Sequence, residues 1–169
     1  METKTVSNRM YSLIVLYDMH TKFFSKVIEG ISDKDAHNRL NTKANHIAWL
    51  SGSLVQERYE LAKAIGIDPG SYSDKQSAHE LFKDHKGIQD NITYPSLGEF
   101  KNDWDKITPE LRNALINVND EKLDSQFKMP EFTMPFFDLV AFIIYREANC
   151  IGQIALWRRL LGYDAMKYD

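Results

Sequence analysis

Two stretches of the chain carry polar side chains where a plain apolar stripe would be expected. In NHIAWLSGSLVQERY, residues 45–59, His46, Ser53 and Glu57 fall near one helical face with Leu50 between them. In REANCIGQIALWRRLLGY, residues 146–163, Arg146, Cys150, Gln153 and Trp157 recur at steps of four, three and four, which is one stripe of a helix. The two faces together offer an imidazole, a hydroxyl, a carboxylate, a guanidinium, a thiol and an amide. His46, Ser53, Glu57, Arg146, Cys150 and Gln153 are therefore the candidate pocket.

The chemistry open to each group differs. Arg146 can clamp an anionic group such as a carboxylate. It can equally pair inside the protein with Glu57, since an inward-facing guanidinium without an anion is costly. Cys150 is a reactive thiol if Arg146, four residues away, lowers its pKa, or a small buried hydrophobe if it does not. Gln153 and His46 have the character of groups that satisfy hydrogen bonds between helices, and His46, next to Asn45 near a helix start, can equally be a simple N-terminal contact. The chain contains no Ser-His-Asp order, glycine-rich phosphate loop or paired-cysteine motif.

These faces need helices to present them, and four long segments carry helical periodicity. The first spans about Val6 to Glu29, with Met10, Leu13, Ile14, Tyr17, Phe24, Val27 and Ile28 inward, Gly30 ending it and Ser32-Asp33 opening a short turn. The second spans about Thr42 to Ile65, with Thr42 as N-cap, an inner stripe of Ile47, Leu50, Leu54, Leu61 and Ile65, and Gly66 closing it. The third begins at the Ser96-x-x-Glu99 capping box and buries Phe100, Trp104, Ile107, Leu111, Leu115 and Val118; Pro109 should kink or break it, with Thr108 capping the turn beyond the break. The fourth runs from Pro135 to about Leu161 with Gly162 beyond its end.

A short helix at Ser77–Phe82 is expected within the Gly-, Ser-, Asp- and Pro-rich stretch from Asp68 to Pro95, and a polar connection covers Asn119 to Met134. No strand pattern is evident. The fold class is all-α, a single-domain antiparallel four-helix bundle. Its connections of about 12 to 30 residues, against a usual ~2–8, imply long crossovers. Gly52 and Gly152, one beside each polar stripe, suggest close backbone approach, because a mid-helix glycine costs about 0.5–1 kcal/mol relative to alanine; the alternative is an incidental exposed glycine.

Composition narrows the partners. The 169 residues are 43% hydrophobic and 27% charged, enough for one sizeable core, and the net charge of −3 with scattered Lys and Arg does not point to nucleic acid, which would demand a clustered basic face. The one dense basic pair, Arg158-Arg159 after Trp157, has the look of a solvated helix end, and Trp49, Tyr59, Trp104, Trp157 and Tyr163 of core or dimer surface. A single cysteine forbids an intrachain disulfide. The N-terminus lacks the apolar stretch of a signal peptide, and the longest apolar run, Phe136 to Tyr145, is interrupted by Asp138 and falls short of the ~18 residues that span a bilayer. The expectation is a soluble cytoplasmic protein with neither membrane nor nucleic acid as partner.

With these motifs in place, most of the chain resembles the DinB/YfiT-like superfamily of metal-dependent four-helix proteins. The likeness is strongest at NHIAWLSGSLV, where the family usually has a histidine after the internal glycine. It is also strong at REANCIGQIALWRRLLG, where the family usually shows His-x-x-x-His-x-Gly-Gln and this chain keeps Gly152-Gln153. The resemblance implies a bundle with long crossovers, commonly a homodimer, and a central nickel or zinc site. The three family histidines fall on Ser53, Arg146 and Cys150.

That substitution pattern removes the ligands. A catalytic ion needs about three protein donors, and Arg146 keeps its proton and has no lone pair to give. His46 lies two turns before Ser53, about 10 Å along the axis, too far to join Cys150 at one ion unless the helices are offset. His20, His37, His79 and His85 show no paired spacing, and His79 and His85 sit in the loop-rich stretch. No cofactor is expected. The preferred function is a metal-free scaffold with a small polar pocket between the second and fourth helices, taking a small anionic ligand or serving as an interaction module. The rival is an enzyme of the kind the family contains, a thiol-dependent transferase or related hydrolase, with Arg146 orienting a carboxylate and Ser53 or Cys150 assisting.

Overall fold

The elements form from local signals that mostly act within a turn of each helix end. In the computed structural model, which describes residues 4–67, 80–82 and 86–168, a 3-10 turn at Asn8–Met10 leads into α1 (Tyr11–Ile28). Gly30, at φ +73°, turns the chain, and Ser32 caps the one-turn helix α2 (Asp33–Ala36) by accepting from the Asp35 amide. Next come α3 (Ile47–Ile65), ended by Gly66 at φ +105°, and α4 (Leu97–Asn117), opened by the full Ser96–Glu99 capping box. A short helix α5 (Asp120–Asp124) precedes the last long helix, α6 (Phe136–Leu160), which ends before Gly162 at φ +88°. The chain is mostly helical.

Several expected boundaries move. Thr42 is not the cap of α3: its hydroxyl is used in a turn with Arg39 and Ala44, and His46 caps instead, its Nδ1 accepting from the Trp49 amide at 3.0 Å. Pro109 neither breaks α4 nor hands over to a Thr108 cap. The helix runs through it, and the Thr108 hydroxyl donates back to the Trp104 carbonyl at 2.6 Å. The polar connection expected between α4 and α6 contains α5 and a two-stranded antiparallel hairpin, β1 (Gln126–Lys128) and β2 (Thr133–Pro135), with Phe127 opposite Met134. Strands this short escape a periodicity reading, and they hold by packing against α6. Residues 77–79 of the expected Ser77–Phe82 helix, with His79 and His85, lie outside the described residues.

Each long helix packs on two others, α1 on α6 and α4, and α3 on α4 and α6. One continuous apolar core lies among them, with Ile14, Phe24, Leu54, Trp104, Leu111 and Ile154 shut off from solvent. Gly52 supplies the close approach expected of it, though against side chains rather than α6: a Cβ there would collide with the Phe82 ring and come within 2.6 Å of Phe100 Cζ. Gly152 does not; it is exposed, with open space where its Cβ would stand. Arg158 is likewise no solvated helix end, since its guanidinium donates to the Val27 and Glu29 carbonyls and closes the C-terminus of α1. By length and composition α6 is apolar enough to cross a membrane, more than its interrupted run suggested, yet its inner face is the packing surface for α1 and α3.

Candidate functional site

α3 and α6 face each other with the dipeptides Glu57-Arg58 and Arg146-Glu147, and the four charges pair crosswise. Arg146 Nη1 lies 2.6 Å from Glu57 Oε1, and Arg58 Nε lies 2.6 Å from Glu147 Oε1. Neighbouring residues on a helix point about 100° apart, so one pair turns toward the surface and the other toward the axis of the molecule.

The outer pair is the site the sequence pointed to. The Arg146 side chain is 28% exposed and that of Glu57 10%. Arg146 Nη2 also reaches the Ser53 hydroxyl at 3.4 Å. Glu57 Oε2 is buried and, among the described residues, has no hydrogen-bond partner. Burial lifts the Glu57 carboxyl to about 7; Arg146 opposes the rise, and the nearby Glu147 and Glu60 carboxylates add to it. Cys150 is buried beside this pair, and burial pushes its thiol above the usual range, with Arg146 pulling the other way. The lowered-pKa, reactive-thiol alternative for Cys150 does not hold here.

Two sequence candidates lie elsewhere. His46 sits at the N-terminus of α3 with its ring 5.2 Å from both His37 and Tyr94, away from Arg146. Burial, helped by His37, lowers its pKa to about 4, which keeps Nδ1 free to accept from the Trp49 amide. Gln153 is exposed and donates to Asn149 Oδ1, one turn back on its own helix, rather than to α3. The arrangement thus brings together Ser53, Glu57, Arg146 and Cys150 and leaves out His46 and Gln153.

The inner pair escaped the sequence reading. Arg58 and Glu147 are fully buried. Their guanidinium and carboxylate meet in a two-pronged contact, with Arg58 Nη2 on Glu147 Oε2 at 3.1 Å, while Nη1 donates to the Thr108 and Thr21 hydroxyls at 2.6 and 3.1 Å. His20 Nδ1 lies 3.3 Å from Glu147 Oε2. The guanidinium is sandwiched between aromatic faces, its Cζ 3.4 Å from the Trp104 ring centre and 3.9 Å from that of Tyr17. Burial alone would raise the Glu147 pKa, but Arg58 and His20 outweigh it and hold the carboxyl below its ordinary value. All four long helices contribute to this network. Its one sequence signal was the mirrored order Glu-Arg on one helix and Arg-Glu on the other.

The outer pair opens onto an apolar cleft of about 420 Å³ between α3, α6 and the hairpin, walled by Phe127, Met129, Phe132, Met134, Leu139 and Phe142. On its other side a small pocket of about 40 Å³ is bordered by Trp49, Ser53, Glu60 and Lys86. The donor set does not fit a divalent ion. The Arg146 guanidinium bridges Glu57 and Ser53 where a lone pair would be needed, and among the described residues no group of three or more His, Cys, Asp or Glu side chains converges as a metal site would require. What the site can do is bind an anion through Arg146 and exchange a proton at Glu57.

Neither a family model nor a curated protein matches this chain.

Proposed function

We propose that the chain is a metal-free four-helix bundle of the DinB/YfiT-like type, with antiparallel helices and long crossovers, that binds a small anionic ligand at Arg146. The observation that carries this reading is the partly exposed guanidinium at the head of a cleft, held by a carboxylate that can give up its charge. Four long helices packing each on two others support the bundle, and the retained Gly152-Gln153 supports the family likeness. In this reading the family's ion has been replaced by an internal salt bridge, and the protein is a cytoplasmic binding or interaction module. A homodimer belongs to the same reading, and light scattering should then return twice the chain mass of 19.6 kDa.

A binding screen tests the central point. Acetate and inorganic phosphate should raise the melting temperature of the wild-type protein, since a ligand that binds the native state stabilises it. The Arg146→Gln protein should show no rise. Stoichiometric nickel or zinc in the purified protein, or an anion response that survives Arg146→Gln, would defeat the reading.

One observation favours the enzyme as a second reading. A buried carboxyl poised near neutrality beside a guanidinium is suited to general acid–base work, which would give Glu57 the proton-transfer role in a transferase or hydrolase. Turnover abolished by Glu57→Gln with ligand affinity unchanged would select it.

A further inference from the structure

The cleft next to the outer pair is more apolar than anion binding by itself needs. The hairpin lays Phe127, Met129, Phe132 and Met134 against Leu139 and Phe142 of α6, and its volume of about 420 Å³ lies within the usual ~300–1,000 Å³ of ligand sites. Phe132 and Phe142 stay half-exposed at 51% and 52%, which leaves apolar rings open to solvent. Methionine and phenylalanine walls adapt to an apolar body without demanding hydrogen bonds.

At the polar end the charges are specific. Glu60 and Glu57 come from α3, Arg146, Glu147 and the Cys150 thiol from α6, and Lys86 from the segment leading to α4 on the far side of the pair. The hairpin residues lining the cleft carry no charge. An anion approaching Arg146 therefore meets the Glu57 carboxylate already in place, and two carboxylates on one guanidinium in a buried setting repel. A proton on Glu57 resolves the conflict. It removes the repulsion, and it turns the Glu57 carboxyl, which borders the cleft, into a group that can donate an O–H to the incoming carboxylate.

We propose that the cleft takes an amphipathic monocarboxylate, its headgroup held by Arg146 and protonated Glu57 and its apolar tail on the hairpin, with one proton taken up from solvent per molecule bound. This rests on the anion-binding reading of Arg146 and names the ligand class for it. Glu57 takes up that proton near neutral pH because its carboxyl titrates at about 7.

Isothermal titration of the full chain with acetate, hexanoate, octanoate and decanoate tests this. Affinity should rise by about fourfold per added methylene as the tail reaches the hairpin. At pH 8, titrations in two buffers of different ionisation enthalpy should give an uptake of about one proton, and binding at pH 6 should be about tenfold tighter, as expected for a group with its midpoint at about 7. Glu57→Gln should bind octanoate with no proton uptake and no pH dependence, while Phe132→Ser should flatten the chain-length series. Equal affinity for acetate and decanoate, or no proton uptake in the wild-type protein, would overturn the proposal and leave anion binding at Arg146 standing. Failure of every carboxylate and of phosphate to bind would overturn both. Preference for octylamine over octanoate would overturn the proposal by assigning the cleft to a cation.

Discussion

Replacing Glu147 by glutamine is the sharpest perturbation of this architecture. The substitution keeps the shape and removes the charge that balances Arg58, a guanidinium with no exposed surface. Arg58 cannot respond by losing its proton, because an arginine guanidinium stays charged in proteins. Its remaining partners, the Thr21 and Thr108 hydroxyls and the faces of Trp104 and Tyr17, do not neutralise a full charge. Breaking a buried pair from one side costs about 3–5 kcal/mol. That is a large share of the ~5–15 kcal/mol by which domains are stable. For a chain of 169 residues it corresponds to a fall in Tm of roughly 6–20 °C. Urea unfolding followed by tryptophan fluorescence measures it, with Trp104 against the guanidinium as the reporter.

The outer pair provides the internal control. Arg146→Gln also strands a partner, but Glu57 escapes by taking a proton, so the cost should be well below that of Glu147→Gln at pH 6. A double change, Arg58→Met with Glu147→Leu, should recover much of the stability, since apolar replacement of a buried pair is often neutral or better. A Glu147→Gln protein that unfolds within about 1 kcal/mol of wild type would refute the reasoning, because an uncompensated buried guanidinium cannot be that cheap.

Three further outcomes rest on the same geometry. Between pH 4.5, the ordinary value for Glu57, and its folded value of about 7, the native state holds more protons than the unfolded chain. Stability from this group is therefore complete below pH 4.5 and falls by up to roughly 3 kcal/mol as pH rises to 7, and Glu57→Gln should remove that slope in pH-dependent denaturation curves. Gly52→Ala should cost about 1–3 kcal/mol through collision with Phe82 and Phe100, whereas Gly152→Ala should add about 0.5–1 kcal/mol of stability; equal effects on Tm would contradict the packing. Cys150 should resist a soluble disulfide reagent in the native protein and react once unfolded in urea, and rapid native labelling would rule out its burial.

Features that act locally were legible in the chain. The glycines at 30, 66 and 162 end or succeed helices because only a residue without a side chain enters the left-handed region cheaply, and Ser96 with Glu99 satisfies its own amides within one turn. The inner faces of α1 and α4 could be read from spacing, and of the two readings of Arg146 the internal pair with Glu57 is the one in the structure. His46 and Gln153 were misplaced for one reason. A helical stripe gives direction around an axis, but not which neighbour stands opposite, nor whether any does.

By itself, then, the sequence determined four long helices, the glycine-marked ends of three of them and their apolar sides, because helix hydrogen bonds and caps link residues three or four apart. Only the tertiary structure decided that Glu57-Arg58 would cross Arg146-Glu147, that Thr21 and Thr108 would meet one guanidinium, and that a six-residue hairpin ladder would wall a cleft beside it. Those contacts join residues up to 89 positions apart, as from Arg58 to Glu147, and depend on how whole helix faces rotate against each other to bury charge with its counter-charge.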